Sequence, residues 1–333
     1  MDQQTIKFKT QDQILNTCIQ SFSKVKVNLD WSSISNQDII NITNVFKKSN
    51  NIQILSLSFI RNQIGDEGAI AIGSCLVNCL NLQSLKLRIS QNKINGEGTV
   101  GLVSNLQNLN NLQNVIFQLD FNKVGVQGAT ALGSAFGNCK NLQKLSLSIH
   151  KNEISNQGVI MLGQHLQQSK SIVQLHLGLN WNNIDAEGIS ILSFSLAKCT
   201  QIQMLSISLF ENKAHDEGIC NLGQSLSKLD KLSSLELQIA QNNISAFGAS
   251  SLLNSLVSCQ KLYKLNLLLF SNILGTQGAF VIGSALKQCA QLSILTLSLD
   301  KNDIKDEGLI ELCSSLTCCK KLYALTLSIL QRI

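Results

Sequence analysis

The sequence predicts an α/β solenoid, a curved horseshoe of 30-residue repeats with a parallel β-sheet on the concave face and α-helices on the convex face. Two observations predict it. Asparagine returns every 30 residues, at Asn62, Asn92, Asn122 and on to Asn302, and a glycine follows six residues after each, from Gly68 to Gly308. Within each period the apolar spacing changes from two to four, so each unit is a strand followed by a helix.

The chain opens on "QILNTCIQSF", which places Ile14, Leu15, Cys18, Ile19 and Phe22 on one helical face. Residues 1–24 are therefore expected to form an N-terminal capping helix region, and residues 25–333 a solenoid of about eleven strands. Its first strand is "VNL", after which Ser32 stands in the asparagine column and Asp38 in the glycine column. In "LKLRI", Leu85, Leu87 and Ile89 are expected to face the core, while Lys86 and Arg88 face away. After Gly98, Leu102 and Leu106 are four apart, as are Leu132 and Phe136, and Leu162 and Leu166, which is the spacing of one helix face. Helices need about 8–10 Å of stack and strands about 4.8 Å, so the stack is expected to bend with the sheet inside. The chain stops at "LTLSILQRI", just after a strand. An uncovered strand there is a pairing hazard, so the expectation is an edge that meets a partner, or a chain cut from a longer protein.

Composition narrows the function. With 44% hydrophobic residues the chain can bury a large core. Its net charge of +6 is spread thinly, the densest basic clusters being pairs such as Lys47/Lys48 and Lys320/Lys321, which argues against nucleic acid as partner. The opening "MDQQTIKFKTQDQ" has no apolar signal core, and every apolar run is shorter than the roughly 18 residues a membrane helix needs. The expectation is a cytoplasmic protein with no membrane contact. Six of the eleven cysteines, Cys79, Cys139, Cys199, Cys259, Cys289 and Cys319, share one repeat column and are read as reduced packing residues. Proline is absent, and Asn, Gln, Ser, Ile and Lys are heavily used. That usage resembles proteins of ciliates and suggests a cytoskeletal or ciliary setting.

Catalytic chemistry is poorly represented. His150, His165, His176 and His215 lie in different repeats; only His150, with His176 and Asp120 on neighbouring strands, approaches a ligand set, and no spacing motif supports a metal. "GDEG", "NGEG" and "DAEG" lack the phosphate-loop pattern. Glu67, Glu97, Glu187, Glu217 and Glu307 recur at one column near a helix start and are read as favourable helix-dipole charges. No enzyme, cofactor or metal is expected.

The outward strand columns are mostly small and polar, with Lys86, Arg88 and His176 among the exceptions. The two positions before each asparagine are richer, pairing aromatics with charges as interface anchors do. The candidate partner-binding residues are Trp31, Arg61, Arg88, Phe121, His150, Lys151, Trp181, Phe210, Glu211 and Phe270.

The signature L-x-x-L-x-L-x-x-N-x-L followed by glycine and a helix, matched over residues 25–329, resembles the leucine-rich repeats, and specifically the ribonuclease-inhibitor-like subfamily. "NQIGDEGAIAIGSCL" is similar to units of that subfamily, of NLR-type receptors and of Ran GTPase-activating proteins. The resemblance implies a strand-to-loop asparagine ladder and a non-enzymatic scaffold binding a protein partner, as one member of a large assembly. It also implies an alternative, GTPase activation, for which Arg61 and Arg88 are the arginines to test. The acidic tail of that group is not present in this sequence.

Overall fold

A computed structural model describes residues 5–47 and 49–330. They divide into two compact units, Met1–Ile154 with Gln164–Ile172, and Ser155–Gly163 with Val173–Ile333. Among the described residues no helix is long and apolar enough to cross a membrane.

The first unit carries strands β1 (Thr5–Phe8), β2 (Lys24–Asn28), β3 (Ile54–Ser58), β4 (Ser84–Arg88), β5 (Asn114–Gln118) and β6 (Lys144–Ser148). All pair in parallel and in chain order. Between them run α1 (Gln11–Leu15), α2 (Asn36–Phe46), α3 (Asp66–Leu76), α4 (Gly96–Val103) and α5 (Gly125–Gly137). After α6 (Ser155–Leu166), the second unit repeats the scheme with β7 (Gln174–Gly178), β8 (Met204–Ser208), β9 (Ser234–Gln238), β10 (Lys264–Leu268), β11 (Ile294–Ser298) and β12 (Ala324–Ser328). Its helices are α7 (Ala186–Leu196), α8 (His215–Leu226), α9 (Ala246–Leu256), α10 (Gly275–Gln288) and α11 (Asp306–Thr317). Strands β7 to β12 likewise follow chain order, paired in parallel.

The N-terminus departs from the sequence expectation. Instead of one amphipathic helix reaching Phe22, Thr5–Phe8 forms a strand and the helix is a single short turn, with Ile19–Ser21 in a 3-10 turn. Ile14 and Ile19 are buried as expected, but Leu15 is 41% exposed and Cys18 is exposed. The reason is pairing: β2 would otherwise present a bare edge, and the alternating segment Thr5-Ile6-Lys7-Phe8 covers it, with Phe8 beside Val27. Among the described residues β1 is thus an additional strand, laid against the eleven, β2 to β12, of the repeats.

The core lies between sheet and helices in each unit. Leu85, Leu87 and Ile89 are buried, as are Leu102 and Leu132 on the helix side. Phe117 of β5 meets Phe136 of α5 edge to face at 5.6 Å, an arrangement that adds about 0.5–1.5 kcal/mol beyond area burial. Backbone pairing also continues past the strand ends: Phe59 N–H donates to Arg88 and Arg61 N–H to Ser90.

Three side-chain ladders lock one repeat to the next. In the first, the asparagine amide reaches the preceding repeat: Asn62 Oδ1 accepts from Ser32 N and Ile34 N, and its Nδ2 donates to Leu29 O at 2.8 Å. Asn122, Asn212, Asn242 and Asn272 make equivalent bonds. The second ladder caps helices from the neighbouring repeat: Asn36 Oδ1 accepts Gly65 N and Gly68 N, Asp66 Oδ1 accepts Asn95 N and Gly98 N, and Asp216 Oδ1 accepts Ser245 N. In the third, Asn51, Asn81, Asn111 and Asn141 donate from the return loops to Gln20, Asn50, Leu80 and Asn110 carbonyls. Each ladder satisfies backbone groups that neither strand nor helix can pair.

The cysteine column packs as expected. Cys79, Cys139, Cys199 and Cys259 are buried, while Cys289 and Cys319 are half-buried. Burial pushes the thiols up, to about 11 at Cys79 and Cys259 and about 12 at Cys139. Cys139 Sγ donates to the Ala135 carbonyl at 3.2 Å.

Candidate protein-interaction face

The residue before each ladder position leaves its strand in the left-handed region. Trp31, Arg61, Gln91, Phe121 and Lys151 in the first unit, and Trp181, Glu211, Gln241, Ser271 and Lys301 in the second, all have φ between 50° and 59°. The backbone N–H still completes the parallel ladder, from Trp31 to Ile60 O at 2.9 Å and from Glu211 to Ala240 O at 3.1 Å. The chain then turns in a single residue to put the asparagine under the core. Non-glycine residues pay for this conformation, β-branched ones most, and the column contains no Val, Ile or Thr. This backbone reversal throws the side chain outward: Trp31 is 67% exposed, Phe121 44% and Trp181 40%.

In the first unit these side chains form cation–aromatic pairs one repeat apart. The Arg61 guanidinium lies 4.0 Å from the Trp31 ring centroid, and its Nε donates to Gln91 Oε1. Lys151 Nζ stands 5.7 Å from the Phe121 centroid. Arg88, on the open strand face, donates from Nε to Gln118 Oε1 at 2.8 Å. His150 is half-buried, and its backbone N–H donates to Asp120.

In the second unit the pattern is an aromatic ridge. Trp181 Nε1 donates to Glu211 Oε2 at 2.6 Å, and its ring meets Phe210 edge to face at 4.9 Å. Phe210 then meets Phe270 at 5.6 Å, tilted by 34°. The repeat between them supplies Ala240, fully buried, whose small side chain leaves room for the two phenyl rings to touch above it. The structure thus joins Trp181, Glu211, Phe210 and Phe270 into one cluster, and in the first unit joins Trp31 with Arg61 and Phe121 with Lys151.

The position two before the asparagine has a second duty that sequence reasoning missed. Asp30 Oδ1 accepts Ser58 Oγ and Ile60 N, both at 2.7 Å; Asp120 accepts Ser148 Oγ and His150 N; Asn180 Oδ1 accepts Phe210 N; Asp300 accepts Ser328 Oγ and Leu330 N. These groups cap the second backbone N–H past each strand end, so Asp120 is a bracing residue beside His150. Burial tends to raise the Asp300 carboxyl, but the bonds from Leu330, Ser328 and Ser298 and the charge of Lys301 outweigh it and hold it below the ordinary value. The signal was present as a column, Asp30, Asp120, Asn180 and Asp300, each two residues before the ladder.

A family model described as leucine-rich repeat matches residues 48–73 and 291–313. The fold is a leucine-rich-repeat solenoid. Each strand from β3 to β11 leads through the asparagine turn into an α-helix. No curated protein matches the chain. Among solved structures the chain is similar to internalin C2 of Listeria monocytogenes, 18% identical, with a TM-score of 0.40 over 89% of this chain and 84% of that one.

Proposed function

We propose that this leucine-rich-repeat protein is a non-enzymatic scaffold that binds a partner protein across its open sheet face. The observation that supports the reading is the left-handed column. It holds bulky and charged side chains outward at a conformational cost of order 1–3 kcal/mol each, while the core beneath them needs nothing from those side chains. Trp31, Arg61, Arg88, Phe121, His150 and Lys151 are the contacts of the first unit; Trp181, Phe210, Glu211 and Phe270 are those of the second. Rigid aromatics beside charges lose little side-chain entropy on binding, which is why such groups dominate interface energetics. The setting in this reading is cytoplasmic, within a cytoskeletal or ciliary assembly.

The test is recovery of a partner from extracts of the native cell on immobilised full-length protein. Replacing Trp181 and Phe210 by alanine is expected to cut recovery of that partner by about tenfold or more, while Gln224→Ala, an exposed position on the helix α8, leaves it unchanged. Equal recovery by all three proteins overturns the proposal.

A further inference from the structure

We propose that the sheet face of the first unit is a receptor for an acidic segment of the partner, an inference that rests on the scaffold reading and adds the chemistry of what is bound. Strand register carries it. Lys7 of β1 and Lys26 of β2 are directly paired across neighbouring parallel strands, and the same column continues through Ser56 to Lys86. Adjacent members of such a column are about 4.8 Å apart. Arg88 lies two residues along from Lys86 on the same face, and Arg61 projects at the strand exit.

Like charges directly opposite on paired strands destabilise a sheet, so folding alone disfavours this arrangement. Lys7 and Lys26 are exposed, and Lys86 and Arg88 are half-buried. The carboxylates on this side are Asp30 and Asp120, and both are turned into their own backbone caps, Asp30 on Ile60 N–H and Asp120 on His150 N–H. Lys7, Lys26, Arg61, Lys86 and Arg88 outnumber these two carboxylates, so the face is net cationic. In the second unit the equivalent column reads His176, Ser206, Glu236, Asn266, Thr296 and Thr326, without a lysine, so the charge belongs to one unit and not to the repeat as such.

A peptide fits this face better than a nucleic acid. Single-stranded nucleic acid binds through aromatic side chains on which successive bases stack, and the Lys7, Lys26, Ser56, Lys86 column holds none. Lys26 and Lys86 are two strand spacings apart, about 10 Å, which is close to the roughly 9 Å between residues three apart on one side of an extended polyproline-type chain. Carboxylates at every third position of such a chain would meet the lysines in register, and the small Ser56 leaves the backbone room to pass.

The test is fluorescence anisotropy with the full-length protein and a labelled 12-residue peptide of repeating Glu-Ala-Ser, against its Gln-Ala-Ser analogue and a 12-residue single-stranded RNA. At low ionic strength the acidic peptide is expected to bind and the neutral one not, with binding lost as salt screens the face. The double variants Lys26→Glu/Lys86→Glu and Lys26→Gln/Lys86→Gln are expected to weaken it by about tenfold or more, and the Glu pair to gain affinity for a Lys-Ala-Ser peptide. Equal binding of the neutral peptide, unchanged affinity in both double variants, or tighter binding of the RNA overturns the inference. If partner recovery still depends on Trp181 and Phe210 while the acidic peptide fails, this inference falls and the scaffold reading stands; loss of both dependences removes both.

Discussion

The Asp66 carboxylate accepts the Gly98 backbone N–H at 3.2 Å, and a Cβ on Gly98 would run into that carboxylate and lie 2.7 Å from the Asp66 Cα. Glycine is needed at position 98 because Asp66 of the preceding repeat occupies the space. Asn36 crowds a Cβ at Gly68 in the same way, and Asp216 one at Gly248. Gly98→Ala must push backbone apart, so it is expected to cost about 2–4 kcal/mol. Gly125 is the control: nothing lies near its missing Cβ, but its φ is +59°. Gly125→Ala should cost about 1 kcal/mol from backbone strain alone. Urea unfolding of the two variants separates these cases, and equal losses would contradict the steric account.

Truncation of the asparagine ladder should cost more than its one side chain suggests. Asn272 Oδ1 accepts from Asn242 N and Ile244 N, and its Nδ2 donates to Ile239 O and Leu269 O. Asn272→Ala leaves buried donors and acceptors without partners and is expected to destabilise by about 3 kcal/mol or more. Asn272→Asp keeps the acceptor but places a carboxylate against two carbonyls, so its thermal midpoint should lie below wild type and rise on acidification until the global acid transition begins.

Thiol reactivity is expected to split by repeat position. Exposed Cys18, Cys313 and Cys318 should alkylate with iodoacetamide in the native state. Cys79, Cys139 and Cys259, buried and with their thiols pushed to about 11, 12 and 11, should react only on unfolding. Peptide mapping by mass spectrometry reads the outcome, and native labelling of Cys139 would contradict the packing described.

Stability should fall at acid pH partly through one helix cap. Ser35 and Asp38 form a reciprocal capping box at α2, and the bonds from the Ser35 side chain, then its backbone, hold Asp38 below the ordinary aspartate value of 3.8. A depressed folded-state value means the contribution is complete above the unfolded value and is lost as pH falls below about 4 through the folded one. Asp38→Asn removes that titration. Its thermal midpoint should therefore depend less steeply on pH below about 4 than that of wild type, and identical slopes would place the acid sensitivity elsewhere, for example at Asp185 or Asp300, whose values are also lowered.

Much of this was legible because a repeat averages its own signal. Asn92 and Gly98 recur at a fixed step, and their neighbours change around them, so geometry separates from recognition without a structure. Even the turn variants are written locally: Asn183, Asn243 and Asp303 take the left-handed position after the ladder, whereas Lys123, Lys213 and Ile273 leave it to Gly125, His215 and Gly275 further on. At the N-terminus the helical spacing of "QILNTCIQSF" extends further than the helix it forms, Gln11–Leu15. What decided β1 was the bare edge of β2, a demand made by another part of the chain. The candidate face was found by its unusual residues, but its pairings were not, since Trp181 meets Phe210 and Glu211 only after a full repeat of chain returns to the same height.

The sequence by itself determined the repeat, its strand and helix, the buried leucine and cysteine columns and the ladder asparagines, because each depends on contacts that recur every 30 residues. Tertiary structure alone decided which side chains become neighbours across repeats: Asp66 against Gly98, Arg61 over Trp31, Phe210 against Phe270 past Ala240, and Lys7 beside Lys26. The physical reason is stacking. It brings residues one or two repeats apart in sequence to within one or two strand spacings of about 4.8 Å, and at that distance charge, ring geometry and the space left by a glycine acquire consequences that no local stretch of the chain contains.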